Sequence, residues 1–319
     1  MSYEGPEFDP RPSPPSRRGR RALIAALVVA LAAAGVAVQR AVGGDGDGAA
    51  PAASSGSPDA RATPGGSPGA ASGSPSVSGT SSPPASSTAR PPAKRGPLSG
   101  KVVVIDPGHN TGNAAHTAEI NRTVRIGNGA KECDTTGTST DAGYAEAKFT
   151  LDVSRRLRAL LEQQGATVRL TQDGDRPWGP CIDERARIGN EAKADAVVSV
   201  HADGSAAGNR GFHVILPGTV TQGGADTRGI VGPSRELGER IAGNFVRATG
   251  SAPSDYVGDG TGLVTREDLG GLNLSKVPKV FIECGNMRNG KDAALLTSAA
   301  WRQKAAQGIS GGIVGFLRG

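Results

Sequence analysis

The stretch Lys101-Val102-Val103-Val104-Ile105-Asp106-Pro107-Gly108-His109 decides the fold. Its β-branched run reads as a buried strand, and Asp-Pro-Gly ends it in a turn. Downstream the same texture returns in Ala196–His201 and Val280–Glu283, apolar runs that close on Ser199-Val200-His201-Ala202-Asp203 and on Phe281-Ile282-Glu283-Cys284-Gly285-Asn286. Strands are also expected at Thr167–Thr171 and Gly211–Leu216. Tyr144 to Gln164 reads as a helix, because Phe149, Val153, Leu157, Leu160 and Leu161 recur at three and four, and Gly165 closes it. Further helices are expected at Asp183–Ala192, at Pro233–Val246 and over Asp292–Leu317, the last broken near Gly308–Gly312. Strands alternating with helices predict an α/β sheet covered on both faces. No internal repeat is visible.

Outward from that core, the chain changes character. Gly and Pro supply 48 and 22 of the 319 residues and aromatics only 3%, which suits one folded domain with a long low-complexity piece. The glycines have no three-residue period, which excludes collagen. Residues 1–21 are polar, Pro-rich and basic, ending in Arg17, Arg18, Arg20 and Arg21. An apolar run, Ala22 to Val38, follows; it is the one stretch apolar enough to span a bilayer, so a polytopic membrane protein is excluded. The arginines before it predict an inside N-terminus. Residues 22–42 read as a signal-anchor or as a cleaved signal peptide, with the anchor favoured; both export the rest. In residues 43–97, 47 of 55 are Gly, Ala, Ser, Pro or Thr. Such a composition predicts a disordered linker with a reach of about 40 Å. The folded domain is expected over 98–319. Net charge is +6, of which +4 falls on residues 1–97 and +2 on the domain. A basic stripe for nucleic acid is therefore not expected.

The chemistry gathers at strand ends. His109 and His201 each follow a predicted strand, and in open α/β sheets ligands bind at that carboxyl edge. The chain has only four histidines. A catalytic zinc site needs three protein ligands and an open fourth position. Glu146, in the first turn of its helix, is the best third donor. Two imidazoles and a carboxylate leave charge +1 on one Zn2+, which lowers the pKa of its bound water. Glu283 ends an apolar strand, where an unpaired carboxylate is costly, and is the candidate general base. Singly, each has an ordinary reading: a turn histidine, a core histidine, a helix-start acid favoured by the dipole, and one half of a salt bridge.

Together and in this order, Ile105-Asp106-Pro107-Gly108-His109-Asn110, Glu146, Ser199-Val200-His201-Ala202-Asp203 and Ile282-Glu283-Cys284-Gly285-Asn286 resemble the zinc-dependent N-acetylmuramoyl-L-alanine amidases of the type-3 family. The resemblance covers residues 99–319. It is nearest to the exported actinobacterial members, through Lys131-Glu132-Cys133-Asp134, Gly179-Pro180-Cys181-Ile182-Asp183-Glu184-Arg185 and Gly270-Gly271-Leu272-Asn273. It implies a single α/β domain with a mixed, mostly parallel twisted sheet. It implies zinc held by His109, Glu146 and His201 at the carboxyl ends of strands, with Glu283 as catalytic carboxylate. The implied reaction cleaves the amide between N-acetylmuramic acid and the L-alanine of the peptidoglycan stem peptide. The rivals are a zinc carboxypeptidase-like or aminopeptidase-like peptidase and a catalytically silent wall-binding activator.

Smaller features add expectations. Cys133 and Cys181 sit in loop-like segments and are paired in a disulfide, closing a loop that would stabilise by roughly 3–4 kcal/mol. That leaves Cys284 as a buried thiol, with zinc ligation its alternative role. Asp106 and Asp203 neighbour the histidines and are candidate acceptors for their other ring nitrogens. Arg266 and Asn273 are candidates for the groove wall. His116 is expected in solvent, and His213 to face solvent or a helix.

Overall fold

A computed structural model describes residues 96–319. The apolar run 22–38 and the low-complexity stretch, apart from Gly96 and Pro97, lie outside the described residues. Among those described, no helix is long and apolar enough to cross a membrane. The elements, in chain order, are β1 (Val102–Pro107), α1 (Thr117–Ile120), β2 (Thr123–Arg125), β3 (Ala130–Glu132), α2 (Glu146–Gln163), β4 (Thr167–Leu170), α3 (Ile182–Glu191), β5 (Ala196–Asp203), β6 (His213–Pro217), α4 (Arg228–Thr249), β7 (Leu263–Arg266), α5 (Gly270–Asn273), β8 (Lys279–Asn286), α6 (Gly290–Thr297) and α7 (Ala299–Arg318).

Six strands form one sheet in the order β4-β1-β5-β8-β6-β7, and β2 and β3 form a separate antiparallel hairpin. All neighbours in the large sheet are parallel except β6 and β8. The expected mixed, mostly parallel α/β sheet is what forms.

Alternation along the strands sorts the residues between two faces. Val103, Ile105, Val198, Val200, Val280 and Ile282 point into the large core, against Phe149, Val153 and Leu157 of α2, Leu237, Ile241 and Phe245 of α4, and Trp301, Ile309 and Ile313 of α7. Val104 and Val197 point the other way, into a small cluster with Ala194, flanked by Ile188 of α3. By the same alternation Asp106, Ser199, His201, Lys279, Phe281 and Glu283 leave the large core to the other face. The register places Asp106 beside Ser199, and His201 beside Glu283.

Two helix boundaries differ from expectation. The C-terminal break falls at Ser298, whose hydroxyl accepts from the Trp301 amide and starts α7 afresh; Gly308–Gly312 runs on as regular helix. The glycines there serve contact. A Cβ on Gly308 would stand 2.8 Å from the Phe245 Cα, and one on Gly312 would collide with Ile241 of α4. Helix α4 starts at Arg228, ahead of Pro233, which lies inside it. The Thr227 carbonyl accepts the Ile230 and Val231 amides and so begins the helix early. The hairpin, β7, α1 and α5 have no counterpart in the sequence reading.

The α4–α7 contact makes a prediction. Gly312→Val should destabilise the domain by at least about 3 kcal/mol, because backbone has no room to yield. Gly315→Ala, which meets only the Arg240 side chain at ordinary distance, should be neutral or stabilising by up to about 1 kcal/mol. Urea denaturation of the two variants beside wild type checks both; equal midpoints would refute the contact.

Candidate metal centre and active site

The site is assembled from three strand ends and one helix start. His109 follows β1 with φ of 60°, a left-handed backbone rarely adopted by a residue with a Cβ. His201 lies near the end of β5, and Glu146 is the first residue of α2. Ligand atoms of His109, Glu146 and His201 all lie within 4.8 Å of one another. Glu146 bridges the rings: its Oε2 is 3.2 Å from His109 Nε2 and its Oε1 is 3.0 Å from His201 Nδ1. The carboxylate is itself placed by backbone, accepting from the Thr138 amide at 3.0 Å and the Ala202 amide at 3.2 Å. The sequence picked these three as a set, and the fold brings them together.

Electrostatics fit a cation. Burial alone would lower the pKa of His109, but the Glu146 and Asp134 carboxylates outweigh it and push it up to about 10. Burial would likewise raise Glu146, yet His109 and His201 hold it below the usual carboxylate range. Two imidazoles and one carboxylate, already convergent and mostly buried, are a donor set suited to zinc.

Glu283 stands across the sheet from His201. Burial pushes its carboxyl well above the usual range, and Glu146 and Asp203 push further. Its Oε2 is buried without a hydrogen-bond partner. Glu283 and the three candidate ligands line one groove of about 290 Å³, together with Asp203, Arg266 and Phe281. A second cavity of about 250 Å³ shares His109, His201, Leu269 and Phe281 with it and is walled by Ile182, Gly270 and Gly271. Phe281 stacks on the His201 ring at 5.2 Å and fixes its plane.

The remaining expectations divide. Asp106 is not an acceptor for either histidine. It is buried, and its carboxylate takes bonds from Thr171 Oγ1, Arg185 Nη1, Ser199 Oγ and Lys279 Nζ at 2.7 to 3.1 Å. Asp203 turns to Tyr256, whose hydroxyl donates to it at 2.6 Å. The partners of His109 Nδ1 are Thr135, through its carbonyl at 3.1 Å and its hydroxyl at 3.2 Å, and Asp134, at 3.5 Å. Arg266 does line the groove, and is paired with Asp268. Asn273 is fully buried away from it, donating to Ile126, Asn128 and Glu267 and tying the hairpin to α5. Cys133 and Cys181 form the expected disulfide, and Cys284 is a free, buried thiol. Cys284 packs in the large core, on the face opposite Glu283, so it is not a zinc ligand. His116 is partly exposed beside Glu119. His213 is not in solvent: it is buried, 5.9 Å from the Tyr256 ring, and burial pushes its pKa down to about 4.

A family model described as N-acetylmuramoyl-L-alanine amidase matches residues 103–314, about two thirds of the chain. The chain belongs to that amidase family. It is 42% identical over 224 residues to N-acetylmuramoyl-L-alanine amidase Rv3717 of Mycobacterium tuberculosis, covering 69% of this chain and 88% of that one. Among solved structures, the N-acetylmuramyl-L-alanine amidase Ami1 of Mycobacterium smegmatis matches with a TM-score of 0.63 at 41% identity, over 69% of this chain and 98% of that one. The apo form of Ami1 from Mycobacterium abscessus matches equally, at 42% identity and TM-score 0.63, over 69% of this chain and 100% of its own. In this amidase domain the groove at the carboxyl edge of the sheet is where the candidate ligands meet.

Beneath that groove the Asp106 cluster generates a prediction. Burial would raise the Asp106 carboxyl, but Lys279 and Arg185 hold it well below the usual range. A depressed folded pKa stabilises fully above the unfolded value and loses that contribution as pH falls below about 4. Asp106→Asn leaves buried Lys279 without its acid and Arg185 with Asp134 alone, and should cost about 3–5 kcal/mol at pH 7. Urea unfolding as a function of pH should show the gap between variant and wild type narrowing below about pH 4. A gap independent of pH would refute the charge assignment.

Proposed function

We propose that residues 98–319 are a zinc-dependent hydrolase of peptidoglycan, cleaving the amide between N-acetylmuramic acid and the L-alanine of the stem peptide. The observation that carries this is the convergence of His109, Glu146 and His201 within 4.8 Å, beside an unpaired buried Glu283 in the same groove, in a chain of this amidase family.

His109, Glu146 and His201 would hold one Zn2+. Zinc bound there supplies Lewis acidity toward the scissile carbonyl and toward water. Glu283 takes a proton from the attacking water and delivers it to the departing L-alanine nitrogen. Its bare, buried Oε2 leaves a place for the proton. Glu283 lines the 290 Å³ groove, along which the leaving stem peptide would lie. Arg266 on the groove wall offers positive charge to the carboxylates of that peptide.

Residues 1–21 would stay inside, residues 22–42 would anchor or export the chain, and 43–97 would tether the domain within reach of the wall.

The test is product analysis by mass spectrometry on peptidoglycan, with and without chelator, beside Glu283→Gln. Expected products are free stem peptides with an L-alanine amino terminus. They should vanish with chelator and fall by about 10²–10⁴-fold in the variant. Shortened peptides still attached to sugar would overturn the amidase reading in favour of a peptidase. No product, with one equivalent of zinc bound, would overturn it in favour of a silent binder.

A further inference from the structure

Arg185 is buried in the domain and uses every donor it has. Its Nε bonds the Pro180 carbonyl at 2.8 Å. Nη1 bonds the Asp106 carboxylate at 2.8 Å and the Pro107 carbonyl at 2.6 Å. Nη2 bonds the His109 carbonyl at 3.0 Å and the Asp134 carboxylate at 2.9 Å. One of these five bonds falls on His109 itself and three on residues around it, Asp106, Pro107 and Asp134. Two hold carbonyls of the Pro107–His109 turn, including the one that follows the left-handed φ at His109. One holds the acid that precedes the turn. The last holds Asp134, whose other oxygen lies 3.5 Å from His109 Nδ1, beside the Thr135 carbonyl at 3.1 Å and hydroxyl at 3.2 Å, and accepts the Thr135 amide at 2.8 Å, so that it places those groups too. The far edge of that ring, Nε2, points at Glu146.

We infer that Arg185 and Asp134 are positioning residues for His109: Arg185 fixes its backbone, and through Asp134 the two fix the ring so that Nε2 faces the metal position. The inference rests on the reading of His109 as a metal ligand. A left-handed non-glycine backbone persists only where its surroundings over-determine it, and a planar five-donor fork is the one side chain that can reach two carbonyls and two carboxylates at once. A lysine would keep the charge and lose the fork. The disulfide reinforces the arrangement. Cys133 precedes Asp134, Cys181 precedes α3 and accepts the Arg185 amide through its carbonyl at 2.9 Å, and the Ile182 amide bonds the Cys133 carbonyl at 2.7 Å. Partners of a metal-bound histidine commonly change metal affinity by about 10–100-fold when replaced.

The test measures zinc affinity by competition with a chromophoric chelator on the full domain, with the melting temperature of the metal-free protein recorded alongside. Wild type should bind one equivalent. Asp134→Asn and Arg185→Lys should bind it about 10–100-fold more weakly, while Arg187→Lys, on the exposed side of α3, should bind it as wild type does. Variants that fold and bind zinc with unchanged affinity would overturn the inference, even if their melting temperatures fall. Should both variants fail to fold, nitrogen NMR of the histidines in zinc-loaded wild type decides. A protonated Nδ1 on His109 with a metal-bound Nε2 is expected, and the opposite tautomer would overturn the inference. Absence of zinc binding by wild type would refute the ligand reading itself, which is a separate result.

Discussion

The structure depends on the Asp106 carboxylate. It sits on the central part of the sheet, out of reach of water, and it is satisfied by groups from four other parts of the chain: Thr171 after β4, Arg185 of α3, Ser199 of β5 and Lys279 of β8. Two acids, Asp106 and Asp134, face two bases, Arg185 and Lys279, so the buried charge balances. Replacing such a cluster wholesale with apolar groups would cost little, but removing one member exposes the desolvation penalty of the rest. The cluster therefore specifies which elements meet more than it adds to stability. Because Arg185 belongs to it and also grips His109, the order of the sheet and the aim of a candidate ligand are set by one set of bonds.

The sheet also divides labour between its faces. Apolar residues of β1, β5 and β8 that point toward α2, α4 and α7 supply the burial that holds the domain together. Their neighbours, one residue along, carry the charge cluster and the site. A strand alternates by necessity, so the eight residues of β8 supply Val280 and Ile282 to the core, Lys279 to the charge cluster, and Phe281 and Glu283 to the groove. Cys284 falls on the core side by the same rule, although it is next to Glu283 in the chain.

This alternation explains what the sequence discloses. The strands ending in His109, His201 and Glu283 are long apolar runs closing on polar residues, and that texture is readable without a structure. So is the period of α2. The hairpin was not readable, because β2 and β3 have three residues each, half-exposed and charged, with no apolar period. The glycines of α7 look like a break in sequence and prove to be the contact surface for α4. The role of Asp106 was misread because proximity in the chain suggested His109, whereas its partners come from elements 65 to 173 residues away. Asp134 and Arg185 were visible as parts of the family-like segments, but nothing in their spacing says that they meet at His109.

Glu283 has a consequence for the history of such a domain. Its carboxylate is buried with one oxygen bare, an arrangement that folding alone would not favour. On the proposed reading of Glu283 as general base, catalysis is the reason to keep it, and mutation toward an apolar or amide side chain there would relieve the fold at the expense of the reaction. In a lineage released from the need for hydrolysis, this position would drift early, and the scaffold would survive as a sturdier, inert paralogue.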